Sequence, residues 1–288
     1  MGKLAQSRVS FVLPAKNEAG GLGQVLPALR RLYPRSEIIV VDDGSSDDTV
    51  AVCKDAGVKV ISHPYSQGNG AAIKTGARAA SGDVIVFMDA DNQHRPEDAQ
   101  SLLDGIASGY DMVVGARDGE GQASLARHVG NVVYNRFASW MVDQPIADLT
   151  SGFRAVRSER FREFLYLLPN GFSYPTSITM AFFRSGYSVS YVAVDVGRRT
   201  GRSHLRPLQD GIRFLLIILR IATLYSPLKL FLPVSLAFFC TGLGYYLYTY
   251  VNFERFTNMS ALLFINSVLV FLIGLVSEQI TMLIFKDR

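Results

Sequence analysis

The sequence predicts an α/β domain built on a mostly parallel sheet, then an interfacial helix, then a two-helix membrane hairpin. Three observations carry this. Over 1–205, short β-branched runs alternate with amphipathic helical patterns, an order that closes into a parallel sheet covered on both faces. Over 206–227 the chain is strongly apolar yet charged at helical spacing. Over 228–288 it holds two long uncharged apolar runs.

The strands are expected at 9–13, 38–41, 58–61, 84–88 and 112–114, each short, apolar and flanked by turn residues. Leu22, Val25, Leu26, Leu29 and Leu32 recur at helix spacing between the first two, with Pro27 expected to kink that helix. Further helices are expected at 48–56, after a Ser-Asp start signal, and at 71–80. Ligands of such sheets bind beyond the carboxyl ends of the strands, and the polar motifs fall there.

In the segment 208–225, Arg213 and Arg220 lie one heptad apart with Asp210 close by. That pattern fits a helix lying in the membrane interface, or a buried helix whose arginines reach out to water. The runs 230–253 and 256–277 are each long enough to cross a hydrocarbon core of about 30 Å. Arg213, Arg220, Lys229, Lys286 and Arg288 flank the two outer ends, and Arg255 alone sits in the connecting turn. The positive-inside rule then places the first 205 residues and both termini in the cytosol, at the inner (plasma) membrane. Tyr245, Tyr246, Tyr248 and Tyr250 mark the far interface, and Glu278 is read as an acid at headgroup level. Gly242 and Gly244 offer a surface for packing against a second copy, a homo-oligomer.

Hydrophobic residues at 49% agree with a membrane segment, and a net charge of +4 indicates an anionic surface or ligand. Cys53 and Cys240 lie in a polar and an apolar stretch respectively, which excludes a disulfide framework and a zinc ribbon. The first eight residues lack a signal-peptide core. The modest charge gives no support to nucleic-acid binding.

The strongest local signal is Asp89-Ala90-Asp91-Asn92-Gln93-His94, directly after an apolar strand. Two carboxylates leaving one strand end either form a solvated turn or converge on a cation. Like charges held together need such an ion, and Mg²⁺ commonly takes one or two carboxylates plus substrate phosphates. Gln93 adds a neutral oxygen. Gly68-x-Gly70 lacks the third glycine of a dinucleotide fingerprint and reads as a tight turn with a helix N-terminus near a nucleotide. Lys74 on that helix is either solvated or a phosphate contact.

Pro14-Ala15-Lys16-Asn17-Glu18, then Asp42-Asp43-Gly44-Ser45, then Gly68-x-Gly70 and Asp89-Ala90-Asp91, in this order, resemble the family 2 inverting glycosyltransferases of the GT-A (Rossmann-like) fold. The resemblance spans roughly 8–205. It implies that Pro14, Ala15, Asn17, Glu18, Asp42, Asp43, Gly70 and the Asp89–Asp91 turn bind a nucleotide sugar, UDP- or GDP-linked. It also implies that Asp89, Asp91 and Gln93 hold Mg²⁺ or Mn²⁺. Lys16 stands where the family more often has an aromatic.

Gly115-Ala116-Arg117, Arg127, Asn131, the run from Asp148 to Arg154, and Arg198-x-x-Gly201-x-Ser203 are similar to the polyprenyl-phosphate sugar transferases. His204 replaces the lysine that often follows. The implied reaction is inverting transfer to a polyprenyl phosphate, giving a β-linked product. The chemistry of the acceptor agrees: a phosphate monoester, with its second pKa at about 6, is already a nucleophile at neutral pH, so the site needs cations more than a base. Arg117, Arg127, Arg154, Arg198, Arg199 and Arg202 all fall in the later segments. Of these, Arg117, Arg127 and Arg202, with Asn131 and Ser203, are the acceptor-phosphate candidates. Asp89, Asp91, Arg117 and Asp148 are the catalytic candidates, with Asp148 either a base or the holder of the Ser151–Phe153 turn. Two alternatives remain: a polysaccharide-type transferase with a sugar-hydroxyl acceptor, although Trp140 stands outside the Gln-x-x-Arg-Trp motif such enzymes carry, and a non-catalytic membrane scaffold.

Overall fold

The computed structural model describes residues 8–117, 125–171, 174–195, 219 and 223–285, with the side chains of 125–131 and 285 outside that description. Seven strands form one sheet: β1 (Val9–Ala15), β2 (Glu37–Asp42), β3 (Lys59–Ser62), β4 (Val84–Phe87), β5 (Met112–Arg117), β6 (Arg154–Arg157) and β7 (Val189–Val194). Their order is β3-β2-β1-β4-β6-β5-β7. All pairs are parallel except those of β6, which runs antiparallel to β4 and β5.

Periodicity finds five of these strands and misses β6 and β7. β6 is four residues with an arginine at each end, so nothing in its composition separates it from a loop. β7 is a largely half-buried edge strand. The reversal of β6 matters for the site. Its first residue, Arg154, pairs with Phe87 at the end of β4, so the segment leading into β6 reaches the same sheet edge at which β1, β2, β4 and β5 end.

The helices of this region are α1 (Ala19–Leu32), α2 (Thr49–Asp55), α3 (Asn69–Ala79), α4 (Ala99–Ala107), α5 (Leu125–Val142), α6 (Ser158–Arg162) and α7 (Tyr174–Arg184). One sheet face buries Phe11, Leu13, Val40, Val86, Val113 and Ala155 against α1 and α4. On the other face Gly76 of α3 lies against Val12 and Val41, where a Cβ would stand 2.2 Å from a Val12 methyl. Leu22, Val25, Leu26 and Leu29 are buried as the spacing predicts, but Leu32 is 38% exposed because the helix ends there. Pro27 lies inside α1 without ending it. The residue one turn before it is Gly23, which is exposed and faces open space, so the carbonyl that the proline leaves without its helix bond lies on the exposed side.

The chain divides into two compact units, and the second joins Trp140–Asp143 to the C-terminal segment. It contains α8 (Pro227–Phe253) and α9 (Asn258–Phe285). Both are long and apolar enough to cross a membrane and are mostly unburied. Ser235 and Ser267 exchange hydrogen bonds between them, each hydroxyl donating to the other's carbonyl at 2.9 and 3.0 Å. Gly242 is used within the hairpin, its Cβ position 3.0 Å from Leu263, so it is not open to a second copy; Gly244 has nothing within 4 Å among the described residues. Glu278 is not simply an acid at headgroup level: its carboxylate accepts the Leu228 N–H at 3.2 Å, which satisfies one of the donors that every helix start leaves open. Lys229 donates to the Trp140 carbonyl and pairs with Asp143. The expected interfacial helix at 206–227 falls mostly outside the described residues.

Candidate active site

β1 and β2 lie side by side with Ala15 opposite Asp42, and the turns after them are laced together. Asp43 donates its N–H to the Ala15 carbonyl at 2.8 Å. Asn17, in a left-handed conformation (φ 56°), accepts the Ser46 N–H at 2.8 Å and donates its own N–H to Ser45 Oγ at 2.9 Å. Thr49 Oγ1 accepts the Glu18 N–H at 3.0 Å. Asp42 is buried and accepts the Ser45 N–H at 2.9 Å. Pro14, Ala15, Asn17, Glu18 and Asp42 are thus brought to one corner of the sheet edge, with Lys16 exposed beside them.

Asp43 differs from its neighbour. Both its oxygens are committed inside the protein: Oδ1 to His63 Nδ1 and the Gln67 N–H, each at 2.8 Å, and Oδ2 to Ser66 Oγ at 2.7 Å and the Gly68 N–H at 2.9 Å. His63 passes the chain on through Nε2 to Thr75 Oγ1, 3.0 Å away. Burial raises the Asp43 pKa, but these hydrogen bonds outweigh it and hold the carboxyl at about 2. Asp43 shapes the 64–68 loop.

The start of α3 is also occupied. The Gly70 and Ala71 N–H groups donate to the carbonyls of Gly171 and Asn170, at 3.3 and 2.9 Å. A Cβ on Gly70 would meet the Pro169 carbonyl at 2.0 Å. Lys74 donates to the Leu168 carbonyl at 3.1 Å and to the Asn170 side chain. The N–H groups that open this helix are thus taken by a backbone seal, and Lys74, half-buried, is tied to Leu168 and Asn170. Only packing against 168–171, distant in sequence, reveals this.

Asp89 follows β4 and stands half-buried. Enclosure on its protein side, with Asp91 next in effect, pushes it up to about 6, against the opposing charges of Arg117 and Arg154. Its remaining open side is where a cation would relieve that cost. Asp91 Oδ1 accepts the Gln93 N–H at 3.1 Å. Asn92 between them is left-handed (φ 59°) and donates to Gln24 of α1 at 2.7 Å. Gly21 lets α1 approach so closely that a Cβ would meet the Ala90 carbonyl at 2.2 Å. His94 is buried, its ring stacked on Phe153 with centroids 4.8 Å apart, and its Nδ1 has no partner among the described residues. Burial lowers it to about 4, so it is neutral.

Arg117, at the end of β5, grips Asp148 with Nε to Oδ2 at 2.7 Å and Nη2 to Oδ1 at 3.1 Å, and Nη2 also donates to Thr150 Oγ1. Asp148 Oδ1 accepts the N–H groups of Thr150 and Ser151 as well, at 3.0 and 3.1 Å. Burial raises Asp148, but Arg117 and Thr150 prevail and its pKa is lowered. Through these bonds Asp148 holds the Thr150–Ser151 turn. Nη1 of Arg117 has no hydrogen-bond partner among the described residues. Arg154 is not a loop arginine but a fully buried one. The side chains of Arg127 and Asn131, and Arg198, Arg199, Gly201, Arg202, Ser203 and His204 altogether, lie outside the described residues. Gln24 and His63 carry no local sequence signal and emerge only from the fold; Gly152 lies within the Asp148–Arg154 run, but that its backbone flanks Asp89 emerges only from the fold.

Residues 10–165 match the family described as glycosyl transferase family 2, and residues 226–283 match the GtrB C-terminal hairpin. The chain is 30% identical to glycosyltransferase AglJ of Haloferax volcanii, over 83% of this chain and 80% of that protein. It is 31% identical to the dolichyl-phosphate hexose transferase of the same organism, over 70% and 89%. It is 29% identical to the undecaprenyl-phosphate mannosyltransferase of Micrococcus luteus, over 69% and 87%. Among solved structures, it is similar to glucosyl-3-phosphoglycerate synthase from Mycobacterium tuberculosis in complex with Mn²⁺, UDP and phosphoglyceric acid. That likeness has a TM-score of 0.59 at 25% identity, over 75% of this chain and 79% of the other. With the family match spanning more than half of its length, this chain belongs to glycosyl transferase family 2 and ends in a GtrB-type hairpin.

Proposed function

We propose that the protein moves a sugar from a UDP- or GDP-sugar to a polyprenyl phosphate, undecaprenyl or dolichyl, and releases the nucleoside diphosphate. The observation that carries this is the Arg117–Asp148 pair. Asp148, the base candidate of the sequence, is bonded to Arg117, which together with Thr150 lowers its pKa and so weakens it as a base. A sugar-hydroxyl acceptor needs a base; a phosphate acceptor does not. The relatives named for dolichyl-phosphate and undecaprenyl-phosphate transfer support the same acceptor class.

Asp89 and Asp91 fit a hard divalent ion, Mg²⁺ or Mn²⁺. They are two carboxylates on one turn, one of them strained by enclosure and the other's charge. No third His, Cys, Asp or Glu joins them among the described residues, so the other positions fall to the Gln93 oxygen, diphosphate oxygens and water. Such an ion, when bound, neutralises charge that builds on the leaving diphosphate.

In this reading Pro14, Ala15, Asn17, Glu18 and Asp42 receive the nucleoside, and Asp43 holds the loop beside it. Arg117 offers its open Nη1 to the acceptor phosphate, with Arg127, Asn131, Arg202 and Ser203 completing that subsite. One phosphate oxygen bonds to the anomeric carbon as the bond from that carbon to the diphosphate oxygen breaks, and the electron pair leaves with the diphosphate. An α-linked donor then gives a β-linked polyprenyl-phosphate sugar. α8 and α9 keep the enzyme in the bilayer that holds the prenyl chain, with 1–205 and both termini on the cytosolic side of the plasma membrane.

The test is purified protein with undecaprenyl phosphate, Mn²⁺ or Mg²⁺ and a panel of UDP- and GDP-sugars, the lipid fraction read by mass spectrometry. A lipid heavier by one sugar, absent with Asp91→Ala, is expected. Metal-dependent nucleotide release without that lipid would assign another acceptor, and no turnover with any donor would favour a scaffold.

A further inference from the structure

Arg154 opens β6 opposite Phe87 and is 0% exposed. Burying a cation costs several kcal/mol, which a close carboxylate normally offsets, yet no carboxylate lies within ion-pair reach of Arg154 among the described residues. Its donors go instead to neutral acceptors: the Met112 sulfur at 3.8 Å and oxygens on two separate segments. Nη1 donates to the Pro175 carbonyl and to Thr179 Oγ1 of α7, each at 3.1 Å. Nη2 donates to the Ser151 carbonyl. Nε is buried with no partner among the described residues. The guanidinium lies 5.8 Å from the centroid of the Tyr174 ring, and the Tyr174 hydroxyl donates to the next carbonyl along, that of Gly152, at 3.2 Å.

Two successive carbonyls, of Ser151 and Gly152, are thus tied to α7. Gly152 is the residue that flanks Asp89: a Cβ there would stand 3.0 and 3.3 Å from the two carboxylate oxygens. We propose that Arg154 is a positioning residue for Asp89, its fork setting how deeply the Ser151–Gly152 backbone presses against that carboxylate and so fixing the geometry presented to the divalent ion. The proposal rests on the reading that Asp89 and Asp91 hold that ion.

The experiment uses the full chain in detergent and measures Mn²⁺ affinity from the free-Mn²⁺ electron paramagnetic resonance signal in the presence of UDP, against a control of UDP alone. Arg154→Lys keeps the charge but cannot bridge Ser151 and α7; Arg154→Met removes both. Both are expected to bind Mn²⁺ about 10- to 100-fold more weakly, the range for losing a group that orients a metal ligand. Metal-free UDP binding and the KM for undecaprenyl phosphate should be unchanged while kcat falls. A folded Arg154→Lys protein with wild-type Mn²⁺ affinity overturns the proposal. If neither variant folds, Thr179→Val, which removes one anchor of the fork, decides in the same way: weaker Mn²⁺ binding supports the proposal and wild-type affinity overturns it. A wild type that binds no Mn²⁺ overturns the metal reading and this proposal with it, whereas wild-type binding that survives at Arg154→Lys overturns this proposal alone.

Discussion

Adjacent residues with the same side chain can take opposite roles. Asp42 keeps a carboxylate oxygen uncommitted among the described residues, at the sheet edge, while Asp43 spends both oxygens on the 64–68 loop and His63. Asp43 therefore carries an acid-sensitive share of stability. Its folded pKa of about 2 lies below the unfolded value of about 3.9, so this share is complete above pH ~4 and is lost as the pH falls through ~2. Asp43→Asn should cost about 2 kcal/mol at neutral pH, the scale of hydrogen bonds to a charged group. Its melting temperature should converge on that of the wild type between pH 4 and 2; parallel curves would contradict the assignment. Asn92, in the turn that carries Asp89 and Asp91, allows backbone and side chain to be tested separately. Asn92→Ala loses the Gln24 bond and puts in the left-handed region a residue without the polar side chain that lets Asn occupy it, where an ordinary side chain costs about 1–2 kcal/mol. Asn92→Gly loses only the bond and should melt higher than Asn92→Ala; the reverse order would show that the backbone conformation is not the dominant cost.

The elements matter here by how closely they approach. α1 reaches the metal-candidate turn because Gly21 has no side chain, and a Cβ would overlap the Ala90 carbonyl. Gly21→Ala should therefore destabilise by about 1–3 kcal/mol, as overpacking does, and should weaken Mn²⁺ binding as well. Destabilisation with unchanged Mn²⁺ affinity would separate the helix from the site. Gly21 is ordinary as sequence, one of three glycines in α1, and its two neighbours of that type, Gly20 and Gly23, face open space. Nothing local distinguishes them. β6 is the second case: Arg154 reads from the sequence as a loop cation, yet pairing with β4 and β5 buries it completely. Strand status here follows from the neighbours and not from the propensity of four residues.

At the scale of the whole molecule, a soluble-type α/β unit is joined to a hairpin whose outer surface is apolar along its length. Within the hairpin Ser235 and Ser267 bond each other and Glu278 accepts the Leu228 N–H, internal pairings of the kind a hydrocarbon surround favours. The full chain should accordingly stay in the membrane pellet after an alkaline carbonate wash. Recovery in the supernatant would show that α8 and α9 pack against protein instead.

Much of this molecule is legible in its sequence alone. The alternation of apolar runs sets the α/β class, the order of Pro14–Glu18, Asp42–Asp43 and Asp89–Asp91 marks one edge of the sheet, and hydropathy marks the hairpin. Those are short-range or compositional signals, and parallel strands carry them to a common edge by topology alone. Other assignments needed tertiary structure: that Asp43 and Asp148 are already bonded, that the start of α3 is sealed by 168–171, and that Arg154 is buried and tied to α7. Each depends on which distant groups come within about 3 Å, the reach of a hydrogen bond, and a linear sequence names donors and acceptors without saying which of them will meet.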